Sequence, residues 1–122
     1  MHPSRVLLAE DHPSLAAAIG EYVAEAFQLV GTVRDGSALL EAATTLKPDV
    51  IVTDMSMPFL DGPGMIRAIR RIDPSVKVIA MSGLMNPEHT PELEALNISA
   101  FLAKPFTAEE LLTKLAAALG GA

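Results

Sequence analysis

The feature that most constrains the fold of this chain is a repeated change in the spacing of its apolar residues. Short continuous apolar runs alternate with segments in which apolar residues recur every three or four positions. This alternation is typical of strands and helices that follow one another in a βα series. The strand candidates are Arg5 to Ala9, Gln28 to Val33, Asp49 to Thr53, Lys77 to Met81 and Ser99 to Leu102.

The first, third and fourth of these runs are apolar throughout rather than at every second residue. Such runs are typical of strands that are covered on both faces, as in parallel sheets. Right-handed crossovers through five helices then give an α/β fold, a doubly wound five-stranded parallel sheet. The 122 residues, half of them apolar, are enough for one such domain spanning residues 1–122. Ligands of these sheets bind beyond the carboxyl ends of the strands.

The last two helical segments differ in how clearly their ends are marked. Thr107 followed by Glu110 has the pattern of a capping box, and a stripe of leucines comes directly after it. Between the fourth and fifth strands, Pro91 would interrupt a helix that began earlier. We therefore expect a short, loosely held helix there, which Thr90 caps and Asn97 ends.

Composition and charge exclude several classes of function. Without cysteine, the chain has no disulfide, zinc–thiolate site or thiol nucleophile. A formal net charge of −6 argues against direct nucleic-acid binding, because phosphate contacts need clustered Lys and Arg. The apolar runs are too short to span a membrane, and the start of the sequence lacks the apolar region of a signal peptide. We therefore expect a soluble, cytoplasmic domain with no membrane contact.

Charged and polar residues follow four of the strand candidates and are therefore expected at one edge of the sheet. Glu10 and Asp11 follow the first strand, Asp54 the third, Ser82 the fourth and Lys104 the fifth. Three carboxylates in that space repel one another, which a bound Mg²⁺ or Mn²⁺ ion would offset. With a metal present, the residues resemble a phosphoryl-transfer site. Asp54 would be the nucleophile, and Lys104 and Ser82 would hold phosphoryl oxygens.

Four motifs make the chain similar to the receiver domains of response regulators. They are Glu10-Asp11-His12-Pro13, Asp54 with Met57-Pro58 and Asp61-Gly62, Met81-Ser82-Gly83, and Phe101 with Lys104-Pro105-Phe106. Each motif is weak alone, but together they span nearly the whole chain, each at the end of the expected strand. The resemblance implies a flavodoxin-like fold with strand order 2-1-3-4-5. It also implies a signalling phosphoacceptor rather than an enzyme, one that catalyses only its own phosphorylation and dephosphorylation.

The resemblance further implies partners and residue roles. A sensor histidine kinase or a histidine phosphotransfer protein would phosphorylate Asp54. The implied Mg²⁺ ligands are Glu10, Asp11, Asp54 and the backbone carbonyl of Ser56. Ser82 and Phe101 would then switch together and remodel the face formed by the fifth strand and the helices before and after it. That face would control an output domain or protein target. Whether phosphorylation also leads to a homodimer is left open by the sequence.

Two of the residues implied to act at the site depart from the family pattern. Glu10 stands where many members have Asp, and its longer side chain can alter the metal geometry. Phe101 lacks the hydroxyl of the Tyr that is common there, so that any switching depends on packing alone.

Other functions fit the sequence less well. Asp-nucleophile phosphatases of the haloacid dehalogenase type need a second Asp two residues after the nucleophile, where this chain has Ser56. In a flavin carrier, the acidic loop EDHPS would repel a phosphate. A degenerate receiver acting only as a protein-interaction module would be expected to lack the acceptor, the acidic pair or the lysine. The sequence leaves open whether the domain is a stand-alone regulator or part of a longer DNA-binding one.

Overall fold

The computed structural model of the chain alternates strands and helices, and it describes residues 4–55, 62–82 and 98–120. The strands are β1 (Arg5–Ala9), β2 (Gln28–Val33), β3 (Val50–Asp54), β4 (Lys77–Ser82) and β5 (Ala100–Ala103). The helices within the described ranges are α1 (Pro13–Ala24), α2 (Gly36–Leu46), α3 (Gly62–Ile72) and α4 (Ala108–Ala118). Each strand boundary lies within one residue of its predicted position. Within those ranges, no helix has the length and hydropathy to cross a bilayer.

The five strands form one parallel sheet with the order β2-β1-β3-β4-β5. This confirms the predicted α/β class, the parallel pairing and the strand order that the family resemblance implied. The helix expected between the fourth and fifth strands, with Thr90, Pro91 and Asn97, lies outside the described residues. Because all the strands run the same way, their carboxyl ends share one edge of the sheet.

Apolar side chains cover both faces of the sheet. Leu7 of β1 and Ile51 of β3 belong to one core layer, which contains the buried residues of α2 and α3. Leu8 and Val52, each one position further along, belong to the other layer, with α1 and α4. Neighbouring residues of a strand point to opposite faces, so a strand buried on both sides needs an unbroken apolar run. This is why polar residues do not alternate with apolar ones along β1 and β3 before the carboxyl edge of the sheet.

The capping box predicted for the last helix is confirmed. The Thr107 hydroxyl accepts a hydrogen bond from the backbone N–H of Glu110 at 3.0 Å. The Glu110 carboxylate accepts one from the backbone N–H of Thr107 at 3.2 Å. The first turn of α4 therefore begins shortly after Lys104, Pro105 and Phe106, and fixes the direction in which the chain leaves β5.

Replacing the capping threonine tests how much the capping box at the start of α4 contributes to the stability of the protein. Thr107→Ala removes the side-chain acceptor and is expected to lower the free energy of unfolding by about 1 kcal/mol, measured by urea denaturation. Thr44→Ala is the matched control, because the Thr44 hydroxyl donates to the Leu40 carbonyl inside α2, where alanine is a better helix former. Equal losses in the two variants would contradict the assignment of the cap.

Candidate functional site

Three carboxylates meet at the carboxyl edge of the sheet. Glu10 and Asp11 directly follow β1, and Asp54 is the last residue of β3. Each offers a carboxylate oxygen, and these oxygens lie within 4.8 Å of one another. Glu10 is 1% exposed and Asp54 4%, whereas Asp11 is less buried. Two of the three negative charges are therefore almost completely removed from water, which is unfavourable without a compensating positive charge.

Lys104, just after β5, supplies that positive charge. Its Nζ lies 2.6 Å from Oε1 of Glu10 and 3.3 Å from Oδ2 of Asp54. The backbone of Lys104 is also held, because its N–H donates to the carbonyl of Ser82 at 2.8 Å. The ammonium group therefore contacts carboxylates from two different strand ends, one of them 94 positions earlier in the chain.

The second carboxylate oxygen of Glu10 is also bonded. Oε2 accepts a hydrogen bond from the backbone N–H of His12 at 3.1 Å. The His12 side chain in turn caps α1, its Nδ1 accepting from the backbone N–H of Leu15 at 3.4 Å. Both oxygens of Glu10 therefore have protein partners, and the start of α1 is connected to the acidic cluster.

Two opposing effects act on the pKa of Lys104. Partial burial by itself lowers the pKa, but the hydrogen bond to Glu10 and the charges of Asp54 and Glu10 outweigh burial and raise it above its ordinary value. The ammonium group is therefore charged at neutral pH. A pKa raised on folding contributes stability that is complete below the unfolded-state value of about 10.4. That contribution is lost only as the pH rises further, through the folded-state pKa.

The other predicted site residues are Ser82, Phe101 and Ser56. Ser82 is the last residue of β4 and pairs with Ala103 of β5, which puts it on the same edge as the acidic cluster. Phe101 lies further back in β5 and packs, half-buried, against the core layer of α2 and α3. Ser56 lies outside the described residues. The structure thus brings four of the predicted residues together, namely Glu10, Asp11, Asp54 and Lys104.

Sequence reasoning missed two connections at this site. It assigned Glu10 to a metal and Lys104 to a phosphoryl group, and did not predict that the two side chains bond to each other. It also missed that His12 caps α1. Pro13, at the first position of the helix, was the signal that marks the preceding residue as the cap.

The cluster has the chemistry of a site for a hard cation. Carboxylate oxygens are the ligands that such ions prefer in proteins, and Glu10, Asp11 and Asp54 offer three within a small space. Lys104 adds a charged donor for an anionic group that approaches the same edge. The combination of clustered acids and one ammonium group suits a metal and a phosphoryl group side by side.

The chain is similar to known proteins over most of its length. Residues 6–116 match the family described as "Response regulator receiver domain". Transcriptional regulatory protein PrrA of Mycobacterium tuberculosis is 34% identical over 94% of this chain and 49% of its own length. Chemotaxis protein CheY of Thermotoga maritima is 28% identical over 91% of this chain and 93% of its own. The chain spans 31% to 49% of the length of several other curated relatives.

Solved structures show the same architecture. The signal receiver domain of the putative response regulator NarL from Mycobacterium tuberculosis superimposes with a TM-score of 0.91 over 100% of both chains, at 25% sequence identity.

Because Lys104 lies between buried carboxylates, removing its charge is expected to destabilise the protein. Lys104→Gln leaves Glu10 and Asp54 without their shared partner, and we expect the free energy of unfolding in metal-free buffer to fall by about 1–3 kcal/mol. The control is Lys114→Gln, which removes a charge from an exposed position of α4. Urea denaturation measures both, and a loss no larger than that of the control would contradict the role assigned to Lys104.

Proposed function

The chain belongs to the response regulator receiver-domain family, whose members are phosphorylated on an aspartate, and on that basis we propose that Asp54 is the phosphoacceptor of this protein. The observation that carries the proposal is the place of Asp54 among the clustered acids. It ends a buried strand, lies within reach of Glu10 and Asp11, and contacts the Lys104 ammonium group at 3.3 Å. Pairing with Met81 of β4 holds its backbone.

The phosphoryl donor would be a phosphohistidine of a sensor histidine kinase or of a histidine phosphotransfer protein. A carboxylate oxygen of Asp54 attacks phosphorus, the P–N bond breaks, and its electron pair leaves with the imidazole nitrogen. Lys104 is close enough to Asp54 to donate to a phosphoryl oxygen as it arrives. The hydroxyl of Ser82, at the end of the neighbouring strand, would donate to another.

A divalent cation, Mg²⁺ or alternatively Mn²⁺, would be held by Glu10, Asp11 and Asp54, together with the backbone carbonyl of Ser56. The three carboxylates fit such an ion, because their oxygens lie close together and are hard ligands. When bound, the ion would neutralise negative charge on the carboxylates and on the phosphoryl oxygens. The assignment of the Ser56 backbone carbonyl as a metal ligand rests on the family resemblance alone.

Phosphorylation would change the surface around β5. Ser82 and Phe101 lie on the neighbouring strands β4 and β5, so that a hydroxyl drawn towards the phosphoryl group can be coupled to a movement of the ring. The altered face would contact an output domain or a separate protein target. Relatives differ in this respect, since PrrA is named a transcriptional regulatory protein and CheY a chemotaxis protein. The net charge of −6 favours protein contacts over direct nucleic-acid binding.

Incubation with acetyl phosphate and Mg²⁺, followed by intact-mass measurement, tests the acceptor. The wild type is expected to gain one phosphoryl group, and Asp54→Asn none, because the amide is not a nucleophile for this transfer. A chelator should suppress the gain. Asp49→Asn is the matched control just before the start of the same strand, where the Asp49 carboxylate accepts a hydrogen bond from the Arg5 backbone.

An unchanged mass for the wild type, with a functional donor and Mg²⁺, would remove the support for an active receiver. It would favour instead a degenerate receiver that acts as a protein-interaction module.

Cation binding is also expected to change the stability of the protein. Added Mg²⁺ should raise the free energy of unfolding by mass action, by about 2.7 kcal/mol at 100 times the dissociation constant. Asp11→Asn should lose most of this gain while changing the metal-free stability little, because Asp11 is the least buried of the three acids. Glu41→Gln, at an exposed position of α2, should keep the full gain. The absence of any Mg²⁺ effect in the wild type would contradict the metal site.

A further inference from the structure

Three polar or charged side chains are buried among the described residues, and two of them, Glu10 and Asp54, belong to the site. The third is Thr53, which immediately precedes Asp54 in β3 and is 0% exposed. Its hydroxyl donates a hydrogen bond to the backbone carbonyl of Asp54 at 3.0 Å. A fully buried hydroxyl thus bonds to the proposed phosphoacceptor itself.

Packing does not require this hydroxyl. The residues opposite Thr53 on the neighbouring strands are Ala9 of β1 and Ala80 of β4, and neither has a polar side chain. Valine has nearly the same shape as threonine and would avoid the cost of removing a hydroxyl from water. The three residues before Thr53 in β3 are Val50, Ile51 and Val52, all apolar. The presence of a hydroxyl at position 53 is therefore explained by something other than packing.

The geometry of the bond indicates that reason. It joins the side chain of residue 53 to the carbonyl of residue 54, so both backbone torsions of Asp54, φ and ψ, are restrained by the ring that the hydrogen bond closes. These two torsions determine where the Cα–Cβ bond of Asp54 points. Fixing them limits the directions in which the carboxylate can point before any donor arrives, which lowers the cost of reaching a reactive geometry.

The position of Asp54 in the sheet makes such a restraint useful. The last pair between β1 and β3 joins Ala9 to Thr53, so that Asp54 lies beyond it. On the other side, Asp54 still pairs with Met81, and the N–H of Met55 donates to the Met81 carbonyl at 3.0 Å. The last pair with β1 thus lies one residue before Asp54, whereas the pairing with β4 includes Asp54 itself. The Thr53 hydroxyl adds a restraint on the Asp54 carbonyl at the point where the pairing with β1 ends.

We propose that Thr53 is a positioning residue for phosphorylation, and that its hydroxyl holds the backbone of Asp54 so that the carboxylate faces the incoming phosphoryl group. The inference rests on the proposed function of Asp54. Thr53 does not touch the donor, because its side chain lies on the opposite face of β3 from that of Asp54.

Two substitutions separate the hydroxyl from the shape of the side chain. Thr53→Val keeps the shape and removes the donor, whereas Thr53→Ser keeps the donor and removes a methyl group. Initial rates of phosphorylation are measured over a range of acetyl phosphate concentrations at saturating Mg²⁺. We expect Thr53→Val to lower the maximal rate about tenfold, with the half-saturating donor concentration unchanged. Thr53→Ser should restore most of the rate, and Thr32→Val, at an exposed position of β2, should leave it unchanged.

Stability and amide exchange complete the test. Thr53→Val is expected to be as stable as the wild type or more stable, so that a slower reaction cannot be attributed to loss of folding. Hydrogen exchange of the Asp54 and Met55 amides should be several times faster in Thr53→Val than in the wild type, and near the wild-type rate in Thr53→Ser.

The outcomes distinguish this inference from the proposed function. If the wild type is phosphorylated and Thr53→Val reacts at the same rate, or if Thr53→Ser is as slow as Thr53→Val, the positioning role is wrong and the function of Asp54 stands. If the wild type is not phosphorylated, the proposed function fails. The exchange rates then still decide whether Thr53 restrains the backbone, and equal rates in the wild type and Thr53→Val would overturn it.

Discussion

The contact of one ammonium group with two buried carboxylates is the interaction on which this site depends. Glu10 and Asp54 are nearly inaccessible to water, and a single carboxylate in such surroundings is unfavourable unless it is paired and hydrogen-bonded. Lys104 bonds to both, and the His12 backbone satisfies the other oxygen of Glu10. The protein can therefore keep these acidic groups close together.

The sheet provides the rigidity that this arrangement needs. Both faces of β1 and β3 are covered by core layers, so these strands can shift little without disturbing packing on two sides. At their carboxyl ends, the apolar run stops and the charged residues begin. The strand order puts β1 beside β3, and the N–H of Lys104 bonds to the end of β4. Residues at the ends of four strands thus lie at one edge of the sheet.

In the part of the chain that the structure describes, the buried polar side chains are those of Glu10, Thr53 and Asp54, and they lie at the carboxyl end of β3 or beside it. Each makes a hydrogen bond or ion pair with another part of the site or with Asp54 itself. The other buried side chains among the described residues are apolar. Burial of polar side chains therefore has to be compensated at this end of the sheet. In a receiver domain, that local concentration fits a nucleophile that has to be aimed before its donor arrives.

The sequence by itself determined the strands, the four described helices, the capping box at Thr107 and the residues that gather at the carboxyl edge. Continuous apolar runs, helical periodicity and capping residues are local patterns, and local patterns are readable without coordinates. The bond between Glu10 and Lys104, the link through His12 and the bond from Thr53 to Asp54 were decided only by the tertiary structure. They depend on side-chain rotamers and on which strand ends become neighbours. Those are properties of the assembled sheet, since residues 94 positions apart become partners only when β1, β3, β4 and β5 lie side by side.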